Sequence, residues 1–112
     1  MRKGLKLLVA LISLGLWMTL AFAVSSPSGS ETKGRFFFRK TCKTCHTKGA
    51  VGGEITPLSR TQTQWKAYFT SAKHAKGKEQ LLKVMSAEEL LDVATYLQAH
   101  ASDSPQPETC GK

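Results

Sequence analysis

The sequence predicts a small all-α fold, and three observations lead to that class. Three segments, at about 32–41, 61–73 and 87–100, have the apolar spacing or the capping residues of short helices. Nothing in the chain reads as a strand, and no internal repeat is present. The length of 112 residues suffices for one small domain only.

The first two helices are predicted from their aromatic faces. The face of the first helix consists of Gly34, Phe37, Phe38 and Thr41. The second helix has residues at i, i+3, i+4 and i+7, the spacing of an amphipathic helix, and these are Trp65, Tyr68, Phe69 and Ala72. Between the two helices, the Gly- and Pro-containing segment 47–61 predicts an irregular loop.

The third helix is predicted most clearly at its start. Ser86 is a suitable N-cap, and Glu89 three residues later completes a capping box. The expected buried stripe, with Tyr96 beside it, consists of Leu90, Val93, Ala94 and Leu97. A polar, glycine-containing break at 73–79 precedes this helix. After the third helix, we expect residues 101–112 to form a polar tail that is ordered only in part.

The chemistry of the chain is concentrated in the pentapeptide Cys42-Lys43-Thr44-Cys45-His46. This C-x-x-C-H box is the attachment signature of a c-type haem, because two thiols can add across the two vinyl groups of one porphyrin. A redox disulfide would need a βαβ context, and a structural zinc site would need four ligands. The motif predicts one covalent haem c with its iron, attached through Cys42 and Cys45, with His46 as the proximal ligand.

The first 23 residues have the parts of a secretory signal peptide. A basic start is followed by an apolar run at 7–22, and Ala21-Phe22-Ala23 supplies the small residues of a cleavage site. We expect cleavage after Ala23, a flexible lead-in at 24–31, and export across the bacterial cytoplasmic membrane into the periplasm. An uncleaved N-terminal membrane anchor is the alternative, although the run falls just short of about 20 apolar residues.

The charge balance bears on partners. Residues 24–112 keep thirteen of the sixteen Lys and Arg and all eight acids, a formal +5, which two haem propionates would lower to about +3. The basic residues are scattered, so nucleic acid is not an expected partner. The positive balance instead suits docking to redox proteins with an acidic surface. So short a chain builds a marginal core alone, and a buried macrocycle would add the missing apolar bulk.

Residues 33–98 resemble the class I, mitochondrial-type, monohaem cytochromes c. Gly34 and Phe38 stand eight and four residues before Cys42, where that family has a glycine and an aromatic residue at its helix crossing. Tyr96-Leu97 matches the aromatic-aliphatic pair of the family's last helix. The resemblance implies a cytochrome c domain at 32–100, a small helical fold wrapped around one covalent haem, with N- and C-terminal helices crossing.

The resemblance also concerns the two sides of the iron. On the proximal side, it implies that the Pro57 carbonyl accepts a hydrogen bond from the free N–H of the histidine. On the distal side, the family usually supplies a Met, and Met85 is the Met of that region; as a hydrophobic staple before the helix cap, however, its packing needs no iron. Alignment on Tyr96 places the ligand loop at 74–80 instead. We predict His74 as the distal ligand, with Met85 or an open, water-bound site as alternatives.

The function implied is electron transfer by Fe(III)/Fe(II) cycling, so the protein is predicted to be a carrier and not an enzyme. Two alternatives remain: a haem-binding subunit of a membrane oxidoreductase, and a ligand-binding or sensory haem protein with an open distal site. The sequence shows no distal acid–base cluster, which argues against an enzyme. The candidate docking charges are Lys40, Lys43, Lys48, Lys73 and Lys76.

Four further residues have candidate roles. Trp65 and Tyr68 can donate hydrogen bonds to a haem propionate, although a helix stripe of this kind is more often core. His100, at the end of the last helix, is expected to act as a cation near the negative end of the helix dipole. Cys110 is either an unremarkable tail residue or the site of an intermolecular disulfide.

Overall fold

The computed structural model describes residues 28–109. The predicted signal peptide, most of the predicted lead-in and Cys110 lie outside these residues. Among the described residues, no helix combines the length and the apolar character needed to cross a membrane.

The helical class is confirmed, with three α-helices in the described part of the chain. These are α1 (Glu31–Lys40), α2 (Gln62–Ser71) and α3 (Ala87–Ala99). Each begins and ends within two residues of its predicted bounds. The connections contain short 3₁₀ turns at Cys42–Thr44, Pro57–Ser59, Ala75–Gly77 and Leu81–Lys83.

Each helix begins at a hydroxyl N-cap, which explains why the starts were predictable. The side chains of Ser30, Thr61 and Ser86 each accept a hydrogen bond from the backbone N–H three residues later. At α2 and α3 the side chain of the N3 residue also accepts a hydrogen bond from the backbone N–H of the cap residue, which completes a capping box. The predicted Ser86–Glu89 box is therefore confirmed.

The crossing of α1 and α3 organises the fold, and Gly34 lies at its closest point. A Cβ at Gly34 would stand 2.6 Å from the backbone carbon of Asp92 and 2.8 Å from Tyr96 Cβ, so only glycine permits this approach. One helical turn later, Phe38 and Tyr96 pack with ring centroids 5.8 Å apart. The predicted crossing of the N- and C-terminal helices is thus confirmed.

The prediction that no strand would form is wrong, because a short hairpin follows α2. Strands β1 (Lys73–His74) and β2 (Glu79–Gln80) pair in antiparallel register, with His74 opposite Glu79. Two-residue strands are too short to display an alternating pattern, so their sequence carries no strand signal. The hairpin matters because it carries the candidate distal ligand.

The segment after α3 is more firmly packed than the predicted tail. Ala101 is 0% exposed and belongs to the core with Trp65, Met85 and Val93. The backbone N–H of Glu108 donates to the carbonyl of His100 at 3.1 Å. Contacts with the domain therefore continue beyond residue 100, as far as Glu108.

Candidate functional site

A cavity of about 970 Å³ opens between the helices and the loops. This volume lies at the upper end of the roughly 300–1,000 Å³ of small-molecule sites. Its wall is largely apolar, with contributions from α1, α2, α3 and the hairpin. Among the described residues, its charged lining consists of Arg60, Lys73, Lys76 and Lys78, without Asp or Glu. An amphiphilic, anionic ligand fits such a wall.

The C-x-x-C-H box forms one helical turn at the mouth of this cavity. The backbone N–H groups of Cys45 and His46 both donate to the Cys42 carbonyl, at 3.2 and 3.0 Å. Side chains three residues apart lie on one side of such a turn. Cys42 and Cys45 both line the cavity as free thiols. The two attachment candidates therefore face the same space as His46.

The two thiols differ in their surroundings. Cys45 is exposed, whereas Cys42 is half-buried against the core. Burial raises the pKa of the Cys42 thiol to about 11. At neutral pH the Cys42 thiol is therefore protonated.

His46 is oriented by the glycine-rich loop that follows it. Its Nδ1–H donates to the carbonyl oxygens of Gly52 at 3.0 Å and Gly53 at 3.3 Å. A Cβ at Gly52 would stand 2.7 Å from two atoms of the imidazole, so glycine is needed for this close approach. With Nδ1 engaged, Nε2 is the nitrogen left free to bind a metal.

The predicted partner of His46 was wrong, whereas Trp65 has the core position that is usual for a residue of such a helix stripe. The Pro57 carbonyl accepts a hydrogen bond from Trp65 Nε1 at 2.9 Å, not from His46. Trp65 is buried in the core and its indole N–H is satisfied there, so it is not a propionate donor. Gly52 and Gly53 supply the carbonyls because positive φ at Gly53 turns the loop back over the histidine.

His74 lies on the opposite side of the cavity, on the hairpin. Ala72, in the left-handed conformation with φ 53°, ends α2 and turns the chain into β1. His74 Nδ1–H donates to a Glu79 carboxylate oxygen at 3.1 Å, across the strand pair. A carboxylate on Nδ1 orients a metal-binding imidazole and raises its basicity. Again Nε2 is left free.

The His46 and His74 rings face each other across the cavity, with centroids 6.0 Å apart and planes at 80°. Two imidazoles that bind one metal ion from opposite sides, each through a nitrogen at about 2 Å, have ring centres roughly 6 Å apart. The angle between the planes is compatible with this, because each ring can rotate about its metal–nitrogen axis. The separation therefore suits His46 and His74 as the residues that would hold one iron between them.

Met85 reaches the cavity wall but belongs to the core. Its side chain is 7% exposed and packs in the cluster that contains Phe38, Trp65 and Leu97. It directly precedes the N-cap of α3, the position of a hydrophobic staple. Packing alone accounts for this methionine.

Arg60 is a residue that the sequence analysis missed. Its guanidinium lies over the rings of Trp65 and Tyr68, 5.5 and 5.4 Å from their centroids, and it lines the cavity. No ion pair among residues 28–109 includes it. Burial raises the pKa of the neighbouring Tyr68, which keeps this phenol neutral. An Arg shortly before two aromatic residues of a helix, soon after a haem motif, is the signal that was available.

The predicted docking lysines are not equivalent in the structure. Lys43 donates to the Ile55 carbonyl at 3.0 Å, so its ammonium ties down the loop after His46. Lys73 and Lys76 line the cavity, and Lys48 is exposed nearby. Val51, at 96% exposed, adds an apolar surface at the same edge.

His100 contacts Glu31 at 3.2 Å and so serves the α1–α3 contact.

Comparisons with known proteins give the family of this chain. Residues 29–97 match the family model described as cytochrome C oxidase, cbb3-type, subunit III. The comparisons with curated proteins and with solved structures found no match. The match supports a cytochrome c family, while the class I assignment stays a prediction. The chain belongs to this cbb3-type subunit III family of cytochrome c domains and is a haem-binding electron-transfer protein whose cofactor is covalently bound haem c with iron.

Proposed function

We propose that this chain is an exported monohaem cytochrome that carries single electrons, with a bis-histidine haem held between His46 and His74. Cys42 and Cys45 form the two thioether bonds. The haem iron supplies one-electron Fe(III)/Fe(II) chemistry. The finer assignment to the class I cytochromes, and the periplasmic location, belong to this proposal and rest on the sequence features at 33–98 and 1–23.

The observation that carries the proposal is the pair of facing imidazoles. Their 6.0 Å centroid separation suits one iron between them. Both rings have Nδ1 engaged in a hydrogen bond, so both present Nε2. Met85 lies in the core at the start of α3, where it has a structural role of its own. His74 is therefore the favoured sixth ligand.

The protein's part in electron transfer is to hold two ligands in place through both oxidation states. Gly52 and Glu79 fix the orientations of the two rings, which limits rearrangement when the charge changes. The Glu79 carboxylate makes the His74 imidazole more basic and so favours the oxidised iron. Bis-histidine ligation also lacks the thioether that raises the potential of Met/His cytochromes. A low reduction potential follows.

Attachment is tested by intact mass. The holoprotein, produced with cytochrome c maturation machinery, should have the mass of its polypeptide plus one haem that survives acid–organic extraction. Cys45→Ser should retain a single thioether, visible as a shifted reduced absorption band. Release of free haem from the wild-type protein would contradict the attachment.

Ligation is tested by a matched pair of variants. His74→Ala should convert the low-spin haem to a high-spin form or recruit a substitute ligand. Met85→Leu keeps the volume of the core and should leave the absorption spectrum unchanged. The reverse pattern, with Met85→Leu altering the spectrum and His74→Ala silent, would make Met85 the ligand.

The family match favours a second candidate, a cytochrome subunit of a membrane oxidoreductase. The model that residues 29–97 match is described by such a subunit. Native gel electrophoresis of detergent-solubilised membranes and of the soluble fraction distinguishes the two. A free carrier migrates alone in the soluble fraction, whereas a subunit co-migrates with a larger haem-containing complex.

A further inference from the structure

We propose that the segment after α3, at Ser102 and Asp103, positions Arg60 as the cationic partner of a haem carboxylate. This inference rests on the proposed function, with the haem in the cavity between His46 and His74. Ser102 and Asp103 are positioning residues, because they act through Arg60. Both lie beyond the residues 29–97 that match the family model.

Arg60 is suited to the role by its place on the cavity wall. Its guanidinium lies over the rings of Trp65 and Tyr68, and no acid among residues 28–109 pairs with it. Guanidinium binds carboxylates through two parallel N–H donors, a geometry that a lysine ammonium does not offer. The described lining of the cavity has no Asp or Glu. The haem would bring carboxylates to this wall and so supply the partner that Arg60 lacks among residues 28–109.

The backbone that directly follows the Arg60 side chain is held by the C-terminal segment. The Arg60 carbonyl accepts two hydrogen bonds from Ser102, from the backbone N–H and from Oγ, both at 3.2 Å. Two residues later, the backbone N–H of Gln62 donates to the Asp103 carboxylate at 2.7 Å. This N–H lies in the first turn of α2, where backbone N–H groups have no acceptor within the helix.

The segment is itself anchored, so its hold on Arg60 is a rigid one. Ala101, next to Ser102, is fully buried in the core. Farther along, Glu108 lies 3.6 Å from the Arg35 guanidinium of α1. The core and α1 thus fix the segment, the segment fixes the backbone at 60–62, and the aromatic pair fixes the guanidinium.

The test is the pH dependence of the midpoint potential of the holoprotein, which reports ionisation of the haem carboxylates. A cation within about 4–6 Å lowers a carboxyl pKa by about 1–3 units. Arg60→Gln should therefore move the inflection of potential against pH upward by about 1 pH unit or more. Lys73, Lys76 and Lys78 of the hairpin remain in every variant, so the shift isolates Arg60.

The positioning role requires a second variant and a control. The double variant Ser102→Ala, Asp103→Ala should shift the inflection in the same direction by a smaller amount, and should add nothing in the Arg60→Gln background. Ser104→Ala is the matched control, because Ser104 Oγ is buried in the same segment without a hydrogen-bond partner. It should leave the inflection in place.

Two outcomes would overturn the inference. An unchanged inflection in Arg60→Gln removes the carboxylate partnership. A shift of the double variant that adds fully to that of Arg60→Gln makes the segment merely structural. In both cases the low-spin spectrum of the covalent haem would be intact, so the proposed function would stand. Failure of that function would show instead as a wild-type protein without covalent haem or without the His74 ligand.

Discussion

Substitution of Gly34 tests the packing on which the fold depends. An added Cβ would meet the carbonyl oxygen of Asp92 first, and the carbonyl carbon of Asp92 at 2.6 Å, against the 3.4 Å at which ordinary contacts begin, so α1 and α3 would have to separate by at least roughly 0.8 Å. The neighbouring atoms are backbone of α3 and the Cβ of Tyr96, which cannot rotate away. Gly34→Val adds two methyl groups to this clash and should therefore destabilise the fold more than Gly34→Ala does.

The expected cost of Gly34→Val is that of overpacking, about 1–3 kcal/mol. For a domain of this size each kcal/mol lowers the melting temperature by about 4–8 °C, so a fall of about 4–24 °C follows. The melting temperature of Gly34→Ala should fall less, because alanine is more favourable than glycine in a helix by up to about 1 kcal/mol. Thermal unfolding of the holoprotein, followed by far-ultraviolet circular dichroism, measures both.

Thr32→Val is the control for Gly34→Val. It places the same β-branched side chain in α1 at an exposed position and should change the melting temperature little. If Gly34→Val melts with the wild type, the two helices do not cross at Gly34 in the working protein. The reasoning from close approach would then be wrong.

Three further predictions concern the core, the distal ligand and the alkaline limit of stability. Met85→Ala should cost about 2–5 kcal/mol in chemical denaturation while the haem spectrum stays low-spin. Glu79→Gln removes the negative charge of the carboxylate that accepts from His74 Nδ1. It should therefore raise the midpoint potential in a spectroelectrochemical titration. Burial and the charge of Glu108 raise the pKa of Tyr96, so the folded state keeps a proton that the unfolded chain loses and stability falls above about pH 10. Tyr96→Phe should flatten that fall in thermal melts at alkaline pH.

The predictable parts of this molecule are those with local signals. Ser86 and Glu89 marked the start of α3 because a capping box is made within four residues. Gly34 and Phe38 were assigned to the crossing by their resemblance to the class I cytochromes c, which have a glycine and an aromatic residue at the same spacing before the haem box. The C-x-x-C-H box fixed the positions of two thiols and a histidine on one helical turn.

The remaining parts depend on the path of loops. Which carbonyl meets His46 depends on the turn at Gly52 and Gly53, and a proline eleven residues away could not reveal it. Each strand of the hairpin that carries His74 is two residues long, which is too short to show an alternation of polar and apolar residues. The hold of Ser102 on Arg60 is a polar contact across 42 residues, and such contacts leave no period in the sequence.

The near-infrared spectrum of the oxidised holoprotein decides whether His74 or Met85 completes the coordination of the iron. A methionine thioether bound to Fe(III) gives a weak sulfur-to-iron band in this region, and a second imidazole does not. We predict a low-spin oxidised haem without that band in the wild type, and the appearance of the band in His74→Met. A wild-type band that disappears in Met85→Leu would contradict the account.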